Sequence, residues 1–182
     1  PKNNLDEVCD VLVVDKKIKL VEKDIRESAD EIIDAKGLVV TPGLIDLQVH
    51  FREPGREDRE TILTGSRAAL KGGVTSAVAM PNLAPVADNQ SVVEFMIKRT
   101  KEVDLINIFP TGATTQGQDG SMISEMWELK NSGAVAVTDD GVDVQNPQML
   151  RRAFEYAKTH DMLVMSHCET DELTDDLSLI HI

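Results

Sequence analysis

The sequence predicts an α/β fold, the first five βα units of a (β/α)8 barrel, preceded by part of a small sheet domain. Three observations predict it. From Gly43 onward, apolar strands alternate with amphipathic helices, the grammar of parallel βα units. The strand starts recur about every 30 residues, the length a βαβ step needs. The polar residues able to do chemistry gather at the C-terminal ends of those strands, where a parallel barrel places its catalytic groups. A complete barrel takes roughly 250 residues. A chain of 182 residues that stops after a fifth strand is expected to supply part of one. The alternative, a doubly wound open sheet, usually begins with a Gly-rich phosphate loop after its first strand, and REPGRED is not one.

The elements follow in order. Residues 7–41 read as short β-rich segments, VCDVLVVD, KIKLVEK and EIIDAKGLVV, the last containing an Asp-Ala-Lys-Gly turn. Strands are then predicted at 43–50 (GLIDLQVH), 74–80 (VTSAVAM), 105–112 (LINIFPTG), 134–140 (AVAVTDD) and 162–167 (MLVMSH). Helices are predicted between them at 57–71, 88–101, 121–131 and 146–159. The domain boundaries expected are 1–42 for the small domain and 43–176 for the barrel portion. Residues 177–182, LSLIHI, read as an atypical tail and an abrupt truncation, and the start at Pro1 implies residues in front.

Composition excludes several classes of function. A formal charge of −13 argues against a nucleic-acid partner, whose phosphates call for clustered Lys and Arg. Two cysteines, Cys9 and Cys168, without CxxC spacing or a signal-peptide pattern, fit a reducing, cytoplasmic setting. No apolar run approaches the roughly 18 residues of a membrane span, so no membrane partner is expected.

The strand ends carry the chemistry. The first strand ends in Gln48, His50 and Arg52, the second in a turn with Asn82, the fourth in Asp139 and Asp140, and the fifth in His167, Cys168 and Glu169. Singly, each has a bland reading. A lone strand-end His is usually a hydrogen-bonded structural residue, Asp-Asp-Gly is a common turn, Asn82 suits a turn and Arg52 a surface ion pair. Together, two His and an Asp from three strands are the donors with which zinc or a similar ion turns water into hydroxide near neutral pH. His160, at a helix C-terminus, reads as a dipole partner, and His181 falls in the tail.

In order and spacing, TPGLIDLQVHFREPG, GGVTSAVAMPN, AVAVTDDGV and MSHCE resemble the segments of bacterial dihydroorotases of the amidohydrolase superfamily. The resemblance implies a metal-dependent barrel and reversible hydrolysis of cyclic dihydroorotate to N-carbamoyl-aspartate in pyrimidine synthesis. It also implies a small β-sandwich domain built by both chain ends. Carried across, it places metal ligands at His50, Asp140 and His167, and substrate-carboxylate contacts at Arg52 and Asn82. Asp139 would orient its loop. A guanidinium fork suits a carboxylate better than an ammonium does. The implied cofactor is one or two Zn2+ ions or another divalent metal. The implied macromolecular partners are a second copy of the chain or aspartate transcarbamoylase.

Two departures qualify this. Where the family pattern has the first His of a His-x-His pair, this chain has Gln48, whose amide oxygen is a hard neutral donor, poor for zinc. The family's further metal His and its proton-transferring Asp come from later strands, so no catalytic acid–base residue is assigned in this chain and it is expected to be inactive alone. Allantoinase-type and dihydropyrimidinase-type enzymes resemble each other in a carboxylated Lys on the fourth strand, which AVAVTDDG lacks. A non-catalytic scaffold is the competing reading from another class, favoured by Gln48 and opposed by the convergent ligand set.

Overall fold

A computed structural model describes residues 7–174, so the 177–182 tail and His181 lie outside the described residues. The chain divides between Thr41 and Pro42 into two compact units.

In the first unit, β1 (Asp10–Val14) pairs antiparallel with β2 (Lys17–Glu22). The link is a two-residue turn, Asp15-Lys16, with φ of 50° and 63°, the left-handed pair that matches the twist of a hairpin. EIIDAKGLVV, expected to be strand-like around an Asp-Ala-Lys-Gly turn, has the turn but forms no strand. It turns at Lys36 and Gly37, where Leu38 N–H donates to the Ala35 carbonyl at 2.9 Å. Ile32, Ile33 and Val39 are exposed there, and no described strand offers them a ladder.

The second unit contains β3 (Leu44–Val49), α1 (Ile62–Lys71), β4 (Val74–Ala79), α2 (Gln90–Val103), β5 (Asn107–Pro110), α3 (Met126–Asn131), β6 (Ala136–Val137), α4 (Pro147–Thr159), β7 (Leu163–Val164) and α5 (Asp171–Thr174). Strands β3, β4 and β5 form one parallel sheet and β6 with β7 another, in chain order. A parallel bridge between Gly112 and Val137 joins the two. A helix lies between each strand and the next, so all strand C-termini point the same way.

Helix starts follow their caps. The sequence predicts α1 from residue 57, but it begins at Ile62 because extended Thr61 forms a capping box with Thr64. Asn89 caps α2, and Asn146, followed by Pro147 at the first helical position, caps α4. The core lies between helices and strands, with Ala77, Ala79, Val93, Met96, Leu129 and Val137 almost fully buried. Phe51 reaches it from beyond β3. It packs so closely on α1 that a Cβ on Gly65 would stand 2.7 Å from its ring.

Candidate functional site

Strand alternation puts Gln48 and His50 on one face at the end of β3, and the parallel order brings β6 and β7 round to meet them. The meeting point is Asp140, three residues beyond β6, with a side chain only 7% exposed. Gln48 Nε2 donates to Asp140 Oδ1 at 2.6 Å. His50 Nε2 is 3.3 Å from Asp140 Oδ2, and His167 Nδ1 is 3.4 Å from Asp140 Oδ1. Three of the four expected ligand positions thus surround the fourth. An ionised carboxylate only accepts, so the nitrogen of the Gln48 amide, and not its oxygen, must face Asp140.

Arg52 and Asn82 stand together at the same end. Arg52 Nη1 donates to the Asn82 carbonyl at 3.4 Å, and Asn82 Oδ1 is 2.9 Å from His50 Nδ1. Arg52 itself adopts φ 60°. Its neighbours hold that backbone in place. Phe51 is buried on one side, and on the other Glu53 accepts from Ile62 N–H at 2.7 Å and from Arg99 Nε at 2.8 Å. Gly55, at φ 98°, lies against the Ala84 carbonyl, where a Cβ would approach to 1.7 Å, so the loops bearing Arg52 and Asn82 are clamped together.

Asp139 ties rather than faces the site. Its Oδ1 accepts from Thr114 N–H at 2.8 Å and Thr115 N–H at 3.1 Å, and its Oδ2 accepts from Thr115 Oγ1 at 2.5 Å. Burial pushes the Asp139 carboxyl up from its ordinary range while these hydrogen bonds pull it down. The bonds strap the loop after β5 to the end of β6 and so fix where Asp140 emerges.

Two contributors were given no role by the sequence, Glu169 although it stands at the fifth strand end and Gln118 altogether. Gln118 Nε2 donates to the Asp140 carbonyl at 3.3 Å, and Glu169 Oε2 lies 2.8 Å from His167 Nε2. For Glu169 a signal existed, an acid two residues after a candidate ligand His. For Gln118, in a short 3-10 turn, there was none. A cavity of about 410 Å3 is lined by Gln118, Gly141, Asp143, Gln145 and Glu169 among others, but its lining includes none of Gln48, His50, Arg52, Asn82, Asp140 and His167.

Among the described residues no group of three or more His, Cys, Asp or Glu side chains is arranged to hold a metal ion. The imidazoles and Asp140 instead face one another directly. Their donor chemistry fits a divalent ion, since two imidazoles and a carboxylate are zinc-type ligands. His160, by contrast, caps α4 and packs edge-on against Tyr156 at 4.9 Å, away from these groups in role.

Comparison with known proteins agrees in kind. A family profile described as Dihydro-orotase-like matches residues 37–181. Dihydroorotase of Geobacter metallireducens is 48% identical over 99% of this chain and 41% of its own length. That of Geotalea daltonii is 49% identical over 93% of this chain and 40% of its length, and that of Aquifex aeolicus 44% identical over 95% and 41%. The chain therefore spans about two fifths of the curated relatives it matches. Among solved structures, the L-hydantoinase (dihydropyrimidinase) of Arthrobacter aurescens superposes with a TM-score of 0.71 at 21% identity, covering 86% of this chain and 36% of that one. Saccharomyces cerevisiae dihydroorotase in complex with 5-fluoroorotic acid gives a TM-score of 0.51 at 18% identity, over 69% of this chain and 36% of that one. At such identities the two structures speak to the fold alone.

Proposed function

Since this chain belongs to the dihydro-orotase-like family, we propose that the whole protein is a metal-dependent cyclic-amide hydrolase interconverting dihydroorotate and N-carbamoyl-aspartate in pyrimidine synthesis. The observation that supports this most is the convergence of Gln48, His50 and His167 on the buried carboxylate of Asp140. Residues 43–176 are then the first five βα units of a (β/α)8 barrel, and residues 1–42 part of a small β-sandwich domain. The setting is cytoplasmic. The macromolecular partner is a second copy of the chain or aspartate transcarbamoylase.

His50, Asp140 and His167 would hold the ion, zinc being favoured by two imidazoles. When bound, it supplies Lewis-acid polarisation of a carbonyl and hydroxide near neutral pH. The rest falls to the chain. Arg52 offers a planar, permanently charged fork for the substrate carboxylate, and the Asn82 amide nitrogen is left to assist because its oxygen is engaged with His50. Proton transfer is assigned to no residue here, and the family resemblance puts it on a later Asp. The absence of Lys in AVAVTDDG favours this substrate over those of hydantoinase-like enzymes, whatever the likeness of fold.

Gln48 supports one rival. A side chain that donates to Asp140 where a ligand would stand suits a non-catalytic scaffold that has lost an ion site. Zinc content and dihydroorotate turnover of the whole protein decide between them. Turnover with bound metal upholds the enzyme. A folded protein with neither is the scaffold.

A further inference from the structure

His167 meets a carboxylate through each ring nitrogen, at unequal distances. Nε2 is 2.8 Å from Glu169 Oε2, whereas Nδ1 is 3.4 Å from Asp140 Oδ1. A carboxylate only accepts, and a neutral imidazole has one N–H to give. The shorter contact takes it, which leaves Nδ1 with a lone pair facing Asp140. His50 repeats the pattern in mirror form. Its Nδ1 is 2.9 Å from Asn82 Oδ1, an amide oxygen that accepts, and its Nε2 stands 3.3 Å from Asp140 Oδ2. Two lone pairs then face the Asp140 carboxylate across gaps longer than a good N–H···O bond. Gln48 Nε2 supplies Asp140 Oδ1 with a donor at 2.6 Å, but among the described residues nothing supplies the two imidazole lone pairs, and a cation placed among them would do so.

The Glu169 carboxylate is delivered to His167 by the backbone. Cys168, at φ 57°, turns the chain between the two residues so that both side chains lie on the same side. Gln145 fixes the following segment with both ends of its amide. Its Nε2 donates to the Glu169 carbonyl at 3.0 Å, and its Oε1 accepts from Asp171 N–H at 3.1 Å. An exposed acid with no such tether would hold its geometry poorly against water.

We infer that Glu169 is a positioning residue of this centre, accepting the Nε2–H of His167 and so holding the ring in the tautomer whose Nδ1 lone pair is presented beside Asp140. Ligating histidines commonly give their second ring N–H to an oxygen acceptor, which fixes the ring's orientation and raises its basicity. The inference rests on reading His167 as a metal ligand.

The test is zinc affinity of the whole protein, by competition with a chromophoric chelator, for the wild type and for Glu169→Ala, Glu169→Gln and His167→Ala. It is paired with 15N NMR of the histidine rings without metal. Glu169→Ala should weaken zinc binding about 10- to 100-fold, and Glu169→Gln, which keeps an oxygen acceptor, should recover most of it. The His167 ring should carry its hydrogen on Nε2 in the wild type and lose that preference in Glu169→Ala. Zinc affinity unchanged in Glu169→Ala but lost in His167→Ala overturns the role of Glu169 and leaves the metal reading standing. Affinity unchanged in His167→Ala overturns the metal reading and this inference with it. Should Glu169→Ala fail to fold, Glu169→Gln and the wild-type ring spectrum still decide, because hydrogen on Nδ1 in the wild type contradicts the tautomer.

Discussion

Strands β3 and β4 are neighbours of equal length and similar apolar content, yet every β4 residue is buried or half-buried and β3 is exposed almost throughout. Ala77 and Ala79 of β4 are fully covered, while Ile45 and Leu47 of β3 are 67% and 62% exposed. The cause is position. β4 has a strand on each side and helix α1 against it, whereas β3 has one described strand neighbour. Burial is thus a property of the company a strand keeps, and alternation within the strand only nominates the residues that will use it. The strand with one described neighbour carries Gln48 and leads directly to His50 and Arg52.

The contrast predicts unequal costs for similar truncations. Phe51→Ala removes a ring buried to 1% and should destabilise the second unit by about 3–5 kcal/mol. Ile45→Ala should lie within about 0.5 kcal/mol of wild type. Chemical denaturation of the same chain measures both. A large, concentration-dependent cost at Ile45 would mean that β3 is covered in solution and the comparison is mistaken.

Next in size is Arg99→Met, on α2, which leaves the buried Glu53 without its ion-pair partner and should destabilise the second unit by less than Phe51→Ala does. The loss would show as a lower denaturation midpoint. It would also loosen the loop that holds Arg52, which under the proposed function would show in the whole protein as a higher KM for the carboxylate substrate with kcat nearly unchanged. No change in either quantity would make the Glu53–Arg99 pair incidental.

A smaller effect is expected at the exposed strand itself. Gln48→His replaces a hydrogen-bond donor to Asp140 with an imidazole and should tighten zinc binding about tenfold, or about 1.4 kcal/mol. Equal metal affinity and stoichiometry in the two forms would show that position 48 does not take part in holding metal.

The smallest effect lies in the loop after β3, where Arg56 and Asp58 pair on the surface. The hydrogen bond from Arg56 holds the Asp58 carboxyl below its ordinary range. A lowered carboxylate contributes stability above its unfolded pKa and loses it as pH falls through the folded value. Arg56→Ala should therefore move Asp58 titration upward in NMR and lower the neutral-pH denaturation midpoint only slightly, because both side chains are exposed.

Much of this was legible in the chain. The starts of β3, β4 and β5 fall within two residues of their predicted positions because Gly43, Gly73 and Asp104 mark turns before apolar runs. The placement of Gln48, His50, Arg52, Asn82, Asp139, Asp140 and His167 at strand ends followed from parallel topology, whereas the choice of Asp140 over Asp139 came from the family resemblance. What could not be read was whatever depends on a distant partner. The EIIDAKGLVV segment has strand-like composition, but extended conformation needs a ladder that composition does not supply. The start of α1 depended on Thr61, a cap hidden behind four charged residues. The donor role of Gln48 is a matter of which end of an amide faces a carboxylate 92 residues away.

The strap at Asp139 has a bearing on motion. One oxygen, Oδ1, accepts from the amides of both Thr114 and Thr115. A departure of the carboxylate frees the Thr115 amide, while Thr114 N–H keeps a longer bond to the Thr138 carbonyl at 3.3 Å. In hydrogen exchange that opening should therefore set the clock for Thr115, with Thr114 exchanging more slowly. Because Asp140 is the next residue along, each tick of that clock is also a moment at which the centre's carboxylate is free to wander.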